Sequence, residues 1–494
     1  MLQIDGYTPP DKDIAFAQGV TFEYPTQYGD VTVTTKLAGR DNVKWRLAMK
    51  VHNEWAERRR NLDAADAVAI GRSFATRVRA AGGRRVAVGR DGRLSSPELE
   101  AALVAGLTAG GVDVVRIGIG PTPMLYFAEA TLGVDAGIHV TGSHNPRDDN
   151  GFKMVLGHRS FYGADVQDLA RIAAAGAWSE GAGTVAETDV LDAYVARLLA
   201  GHRGGAYRIG WDCGNGAAGP AVAALTARLP GEHHLLYADV DGRFPNHHPD
   251  PTEEHNLEDL KALVRREGLD FGIAFDGDGD RIGAVDGAGR VLWGDQLLSL
   301  LIAPVLAAVP GATVVADVKS SQFVFDRIAA LGGKAVMGAT GHSLMKEAML
   351  AHHAPIAGEL SGHIFFAHDW YGFDDALHAA VQLIGAVHGS GRSLTALRDA
   401  MPPLVNTPDL RFPVDPARKV AVIDAVRARL EAAGAEVVAI DGVRVTRPHG
   451  WWLLRASNTQ DVLTARAEAA DQAGLDALLA EIDAALAACG VARD

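Results

Sequence analysis

Three times in this chain a short apolar run enters a loop built from charged residues, glycine or both, and a helical stretch follows. Arg85-Val86-Ala87-Val88 leads into Gly89-Arg90-Asp91-Gly92-Arg93, Tyr207-Arg208-Ile209-Gly210-Trp211 into Asp212-Cys213-Gly214-Asn215-Gly216, and Thr313-Val314-Val315-Ala316 into Asp317-Val318-Lys319-Ser320. Each unit carries an aspartate at or just past the strand end. Strands that alternate with helices imply parallel neighbours joined by right-handed crossovers. Ligands of such sheets collect at the carboxyl ends of the strands. Three similar units therefore predict three related α/β domains with mixed, mainly parallel sheets. The end of the chain reads differently. Val443-Arg444-Val445 and Trp451-Trp452-Leu453-Leu454-Arg455 are strand-like, and Leu475, Leu478, Leu479, Ile482 and Leu486 fall on one helical face. A smaller α+β domain is expected there. A chain of 494 residues is too long for one core, and we place the domains at 1–188, 189–290, 291–402 and 403–494.

A net charge of −14 argues against a nucleic acid or an acidic membrane surface as partner. A few local cations would still serve a small anion. The two cysteines, Cys213 and Cys489, form no metal or redox motif, which fits a reducing cytoplasm. The segment Met1 to Gly6 has neither the basic nor the apolar region of a secretory leader. The most apolar stretch, Leu297 to Val309, is too short to span a bilayer, contains Pro304 and reads as a buried helix.

The sharpest chemical signal is Asp276-Gly277-Asp278-Gly279-Asp280, which follows the apolar run Phe271 to Phe275. Alternate residues of an extended segment point the same way, and the glycines let it bend. Three carboxylates brought together need a cation between them, and hard oxygen donors select Mg²⁺ or Ca²⁺. An EF-hand is excluded: its sixth and twelfth loop positions would be Arg281 and Gly287 here, instead of Gly and Glu. Arg281, directly after the triad, implies an anionic ligand beside the metal. The residues after it, 282–285 and 291–293, predict a hairpin turning at Asp286-Gly287-Ala288-Gly289.

A second loop, Thr141-Gly142-Ser143-His144-Asn145-Pro146, follows the strand end Ile138-His139-Val140. Small neighbours leave Ser143 Oγ accessible. A serine hydroxyl needs a base, metal or charge to act as a nucleophile, and Lys153 stands ten residues on. By itself Thr-Gly-Ser-His is also ordinary turn chemistry.

Taken in order, TGSHNP, DGDGDR, GELSGH (358–363) and RASNT (455–459) make the chain resemble the α-D-phosphohexomutase superfamily, nearest to its bacterial phosphomannomutase/phosphoglucomutase group. The likeness runs from about Gly89 to the C-terminus and includes Pro245 to Pro251 and Gly372-Phe373-Asp374-Asp375. It implies four domains around a central cleft, each giving one loop. Ser143 would carry a phosphate. Asp276, Asp278 and Asp280 would hold Mg²⁺, with a phosphoserine oxygen as a further ligand. Glu359 and Ser361 would bind sugar hydroxyls, and Lys319, Gly341 and His342 would line the sugar site. Arg455, Ser457, Asn458 and Thr459 would bind the phosphate not being transferred. Lys153 and His363 match positions linked with proton transfer or positioning, and Arg281 would add charge. The residue types suit these roles: Arg455 offers a planar fork to phosphate. On the bare residues, RASNT reads equally as a helix N-cap beside an arginine.

The implied activity is interconversion of hexose 1-phosphate and hexose 6-phosphate, of mannose or glucose, through a phosphoserine and a hexose 1,6-bisphosphate. Alternatives are phosphoglucosamine mutase and a non-catalytic sugar-phosphate-binding relative. Leu360 is nearer to the methionine of the mannose/glucose enzymes than to the glutamine common in glucosamine mutases. A monomer or small homo-oligomer is expected. One departure concerns the N-terminus: the arginine-bearing segment with which the family usually begins is missing, and Arg40 is a poor substitute.

Overall fold

The computed structural model describes residues 62–457 and 462–492 together with the antiparallel strand pair Val31–Lys36 and Lys44–Met49. Arg40, Asn458 and Thr459 lie outside the described residues.

The first sheet has six strands. Val185–Glu187, Asp113–Ile119, Arg85–Arg90 and Ala136–Val140 run parallel, and Phe152–Leu156 and Arg159–Ser160 continue it antiparallel. Its central strands are apolar because helices cover both faces: Val86, Val88, Ala136, Ile138 and Val140 are all buried. One covering helix, Ala64–Ala80, starts with a capping box between Asp63 and Asp66. It lies close against Ser96–Ala109, since a Cβ on Gly71 or Gly106 would strike the facing backbone at 2.4 or 2.1 Å.

The second sheet runs Gly231–Leu236, Tyr207–Asp212, Phe271–Phe275, Ile282–Asp286, Val291–Leu292, and the third runs Lys334–Gly338, Thr313–Asp317, Ile356–Gly358, Ile364–Phe366. In all three sheets the last parallel strand turns back into an antiparallel neighbour, and these turns are 141–151, 276–281 and 359–363. The serine loop, the acidic loop and the GELSGH loop thus occupy one equivalent position in three sheets of one design. The hairpin expected after the triad is present, and the apolar stretch from Leu297 lies in the helix Gly294–Ala308. No helix among the described residues is long and apolar enough to cross a membrane.

The fourth sheet is antiparallel, with Val462–Ala469 and Gly450–Ala456 at its centre. Alternation gives it two distinct faces. Trp452, Leu454, Ala456, Leu463, Ala465 and Ala467 pack with Leu475, Leu478, Ile482 and Leu486 of the helix Gln472–Ala487. The opposite face carries Arg444, Trp451, Leu453, Arg455, Thr464, Arg466 and Glu468, all buried as well. Much of what covers it is the third domain. Val318 packs with Trp451 and Leu453, Arg444 donates to the carbonyls of Val318 and Ser320, and Glu468 accepts from Ser321 Oγ. The fourth domain therefore meets the third through a small apolar cluster ringed by charged side chains.

Candidate active site

The serine loop is shaped by two buried residues upstream. Asp91 accepts from Thr141 Oγ1 and from the Gly142 amide. The Arg93 guanidinium, fully buried, donates to the carbonyls of Ser143, Asn145, Pro146 and Asp149 at 2.5–3.0 Å. Held in this way, Ser143 takes a positive φ of 49°, a conformation with a cost for any side-chain-bearing residue. Its Oγ lies 3.2 Å from Asp276 Oδ2.

The acidic loop converges by a turn and not by extended alternation. Asp276 Oδ1 accepts from the amides of Asp280 and Arg281, both at 3.1 Å, and Gly279 adopts φ +73°. The three carboxylates are buried, and each presents an oxygen within 4.8 Å of the others. Lys153 Nζ donates to Asp278 Oδ2 at 2.8 Å and to Asp280 Oδ2, and Thr122 Oγ1 also donates to Asp278. Lys153 lies inside the cluster, and Arg281 and His363 flank it, 4.0 Å from Asp276 and 3.4 Å from Asp280. Burial, with Asp278 and Asp280 alongside, pushes the Asp276 carboxyl well above its usual range. Burial also opposes charge on Asp280, yet Lys153 and His363 hold it well below that range. Asp278 Oδ1 has no hydrogen-bond partner among the described residues, and Asp280 Oδ1 has only His363 Nε2 at 3.4 Å. Three converging buried carboxylates, unmet oxygens on them and an all-oxygen donor set fit a hard divalent cation.

The third loop closes over the triad. Glu359 accepts from the Gly341 amide at 2.6 Å and lies 2.8 Å from His363 Nδ1. Ser361 Oγ lies 3.4 Å from Glu359 Oε2, so the two face one way as their spacing predicts. Burial opposes a charged His363, but Asp280 and Glu359 raise it to about 9. Arg281 Nε stands 3.3 Å from His363 Nε2 and 4.0 Å from Asp276. His342 stacks on His363, with centroids 5.4 Å apart, and its Nδ1 lies 2.9 Å from Asp374. Backbone ties lock the loops together: Arg281 bridges His363, and the Ile282 amide donates to Gly362 O. A Cβ on Gly277 would meet Ser143 O at 2.5 Å, so those two loops are in direct contact.

Arg455 and Ser457 sit at the end of the strand Gly450–Ala456, which pairs antiparallel with Val462–Ala469, so they close a strand and do not open a helix. Arg455 Nε donates to Asp441 at 3.0 Å. Lys319 reaches across from the third domain to Asp409 at 2.5 Å. Motif reading missed Arg93, Thr122, Asp374 and Asp409. Arg93 and Asp374 stand inside stretches that carry the resemblance, but their partners lie far along the chain.

Comparison with known proteins agrees with this architecture. Family models described as phosphoglucomutase/phosphomannomutase α/β/α domains I, II and III match residues 52–182, 192–289 and 293–404, and the model of the C-terminal domain matches 410–485. The chain is similar to a phosphomannomutase/phosphoglucomutase of Pseudomonas syringae, 41% identical over 424 residues that cover 84% of this chain and 90% of the relative. A phosphoglucomutase of Neisseria gonorrhoeae is 41% identical over 413 residues, 82% of this chain and 89% of its own. A crystal structure of a phosphoglucomutase/phosphomannomutase family protein from Burkholderia thailandensis superposes with a TM-score of 0.84 at 41% identity, covering 89% of this chain and 97% of that one. With four domains matched in order and three loops meeting at one point, the chain belongs to the phosphoglucomutase/phosphomannomutase family of the α-D-phosphohexomutases.

Proposed function

We propose that this enzyme interconverts the 1- and 6-phosphates of mannose and glucose, with Ser143 as phosphate carrier. The observation that carries the reading is Ser143 Oγ, 3.2 Å from Asp276 in a loop that Arg93 holds in a strained conformation. In the cycle, a sugar hydroxyl attacks the phosphorus on Ser143. The Ser143 Oγ–P bond breaks as the new O–P bond forms, which gives a hexose 1,6-bisphosphate. The sugar turns over, Ser143 Oγ attacks its other phosphorus, and the second phosphate passes back to serine. Phosphoryl transfer needs alignment and neutralised charge more than covalent help.

Asp276, Asp278 and Asp280, with an oxygen of phosphorylated Ser143, would hold Mg²⁺, which supplies electrostatic stabilisation to the phosphoryl group. Lys153 and Arg281 add positive charge at the same point. His363, between Glu359 and Asp280, is positioned to exchange the proton of the sugar hydroxyl. Glu359 and Ser361 would bind sugar hydroxyls, while Lys319, Gly341 and His342 line the sugar site. Arg455 and Ser457, with Asn458 and Thr459, would grip the phosphate at rest.

A coupled assay with Mg²⁺ and a trace of glucose 1,6-bisphosphate tests the reading. Mannose 1-phosphate and glucose 1-phosphate should both turn over, and Ser143→Ala should abolish this. Turnover of glucosamine 1-phosphate alone would reassign the sugar. Near-normal turnover by Ser143→Ala would refute the role of Ser143.

A further inference from the structure

Four side chains meet where the third and fourth domains adjoin, and the reading above uses only two of them. Lys319 Nζ lies 2.5 Å from Asp409 Oδ2, and the Asp409 side chain keeps 36% of its surface exposed. Arg455 and Arg466 project from adjacent strands on the same sheet face: Arg455 is paired with Thr464, two residues before Arg466. Asp441 accepts from Arg455 Nε. Arg455 Nη2 and Arg466 Nε are buried and find no hydrogen-bond partner among the described residues. Burial works against the charge on Asp409, yet Lys319, Arg466 and Arg455 hold its carboxyl below the ordinary range. Lys319, Arg455 and Arg466 thus gather around Asp409, with Asp441 against Arg455. A buried guanidinium N–H without an acceptor is costly, and two such donors near the Lys319 ammonium mark a place for an anion with several oxygens.

We infer that Asp409 is the resident counter-anion of the phosphate subsite, occupying Lys319 while the subsite is empty and yielding it to the phosphate of an arriving hexose phosphate. Arg466 is then a second guanidinium of that subsite. The inference rests on the reading of Arg455 as a phosphate ligand. A built-in carboxylate has two effects here. It neutralises Lys319 when no ligand is bound, so the charged faces of the two domains stay together. It also competes with phosphate and weakens its hold, which suits a subsite that must release one end of the sugar and accept the other.

Calorimetric titration of the full-length protein with inorganic phosphate decides the matter. Asp409→Asn keeps the size of the side chain and an acceptor for Lys319 but removes the charge. Phosphate should bind this variant about tenfold more tightly than the parent, the order expected for one charge removed from a partly exposed anion site. A damaged site would bind more weakly, so the direction alone discriminates: equal or weaker binding overturns the inference. Should Asp409→Asn fail to fold, Asp409→Ser decides in the same way. Arg466→Gln should weaken phosphate binding in both backgrounds, and unchanged binding would remove Arg466 from the subsite. Mutase turnover of the parent, measured alongside, separates the two readings. Turnover without tightening by Asp409→Asn rejects this inference alone. Tightening without turnover of any hexose phosphate rejects the mutase reading and leaves the anion site standing.

Discussion

Arg93 is the residue on which the geometry of the serine loop most depends. Replacing it with methionine keeps much of the stem's volume and removes every donor. Four carbonyls, those of Ser143, Asn145, Pro146 and Asp149, then lose a charged partner, and the Asp91 carboxylate loses its buried counter-ion. Each charge-assisted bond contributes roughly 1.5–3 kcal/mol, but part of this is recovered by relaxation and by the donors Asp91 retains. Removing one partner of a buried ion pair costs about 3–5 kcal/mol, and we take that as the net loss for the first domain. For a domain of this size the melting temperature should fall by roughly 6–20 °C. Ser143 should also leave its positive-φ conformation. A shift of about 1 Å in a reacting group costs on the order of 10²-fold in rate, so kcat/KM should fall at least that far. Differential scanning calorimetry, hydrogen exchange at the amides of 141–151 and the coupled mutase assay read the three effects separately. A first-domain transition within about 2 °C of the parent, with turnover within about threefold, would refute the account of Arg93 as the loop's internal scaffold.

Gly277→Ala places a Cβ against Ser143 O, so it should depress turnover by about tenfold or more while the fold survives; parental kinetics would show that the two loops can separate. Chelation of divalent ions, or Asp278→Asn, should suppress turnover, and added Mg²⁺ should restore the chelated parent but not Asp278→Asn at the same concentration. For His247, burial opposes the charged form, but the adjacent Asp212 raises its pKa above the ordinary 6.5. Its stabilisation is therefore fully present below pH 6.5 and is lost as pH rises through the elevated folded value. His247→Gln should be less stable than the parent in acid and converge with it in alkali, as followed by urea unfolding; a gap that widens with pH would contradict this sign.

What could be read from the sequence was what the chain writes locally. The Asp276–Asp280 triad lies within five residues, and the strand before it is an unbroken apolar run, so motif and element were legible together. The alternation of apolar runs with helical stretches pointed to the parallel sheets in the same way. Arg93 was opaque because its partners lie some 50 residues downstream. The charged face of the fourth sheet was opaque for another reason. Trp451 and Trp452 are both apolar, and both are buried, so alternation did not reveal that one faces the domain's own helices and the other a neighbouring domain. The likeness of the three functional turns needed strand order, since TGSHNP, DGDGDR and GELSGH share almost no residues.

The ties among those turns divide labour within the molecule. Gly277 against Ser143, Arg281 bridged to His363 and Ile282 bonded to Gly362 join three domains by backbone at the reaction centre. The fourth domain meets the third through one small apolar cluster and, around it, arginine, glutamate and lysine side chains whose bonds water can replace one at a time. The first three domains make an anvil, and the fourth is a jaw. On the proposed cycle, a sugar that lets go, turns and is gripped again asks for movement of the fourth domain first, while Ser143 and the aspartate triad keep their places.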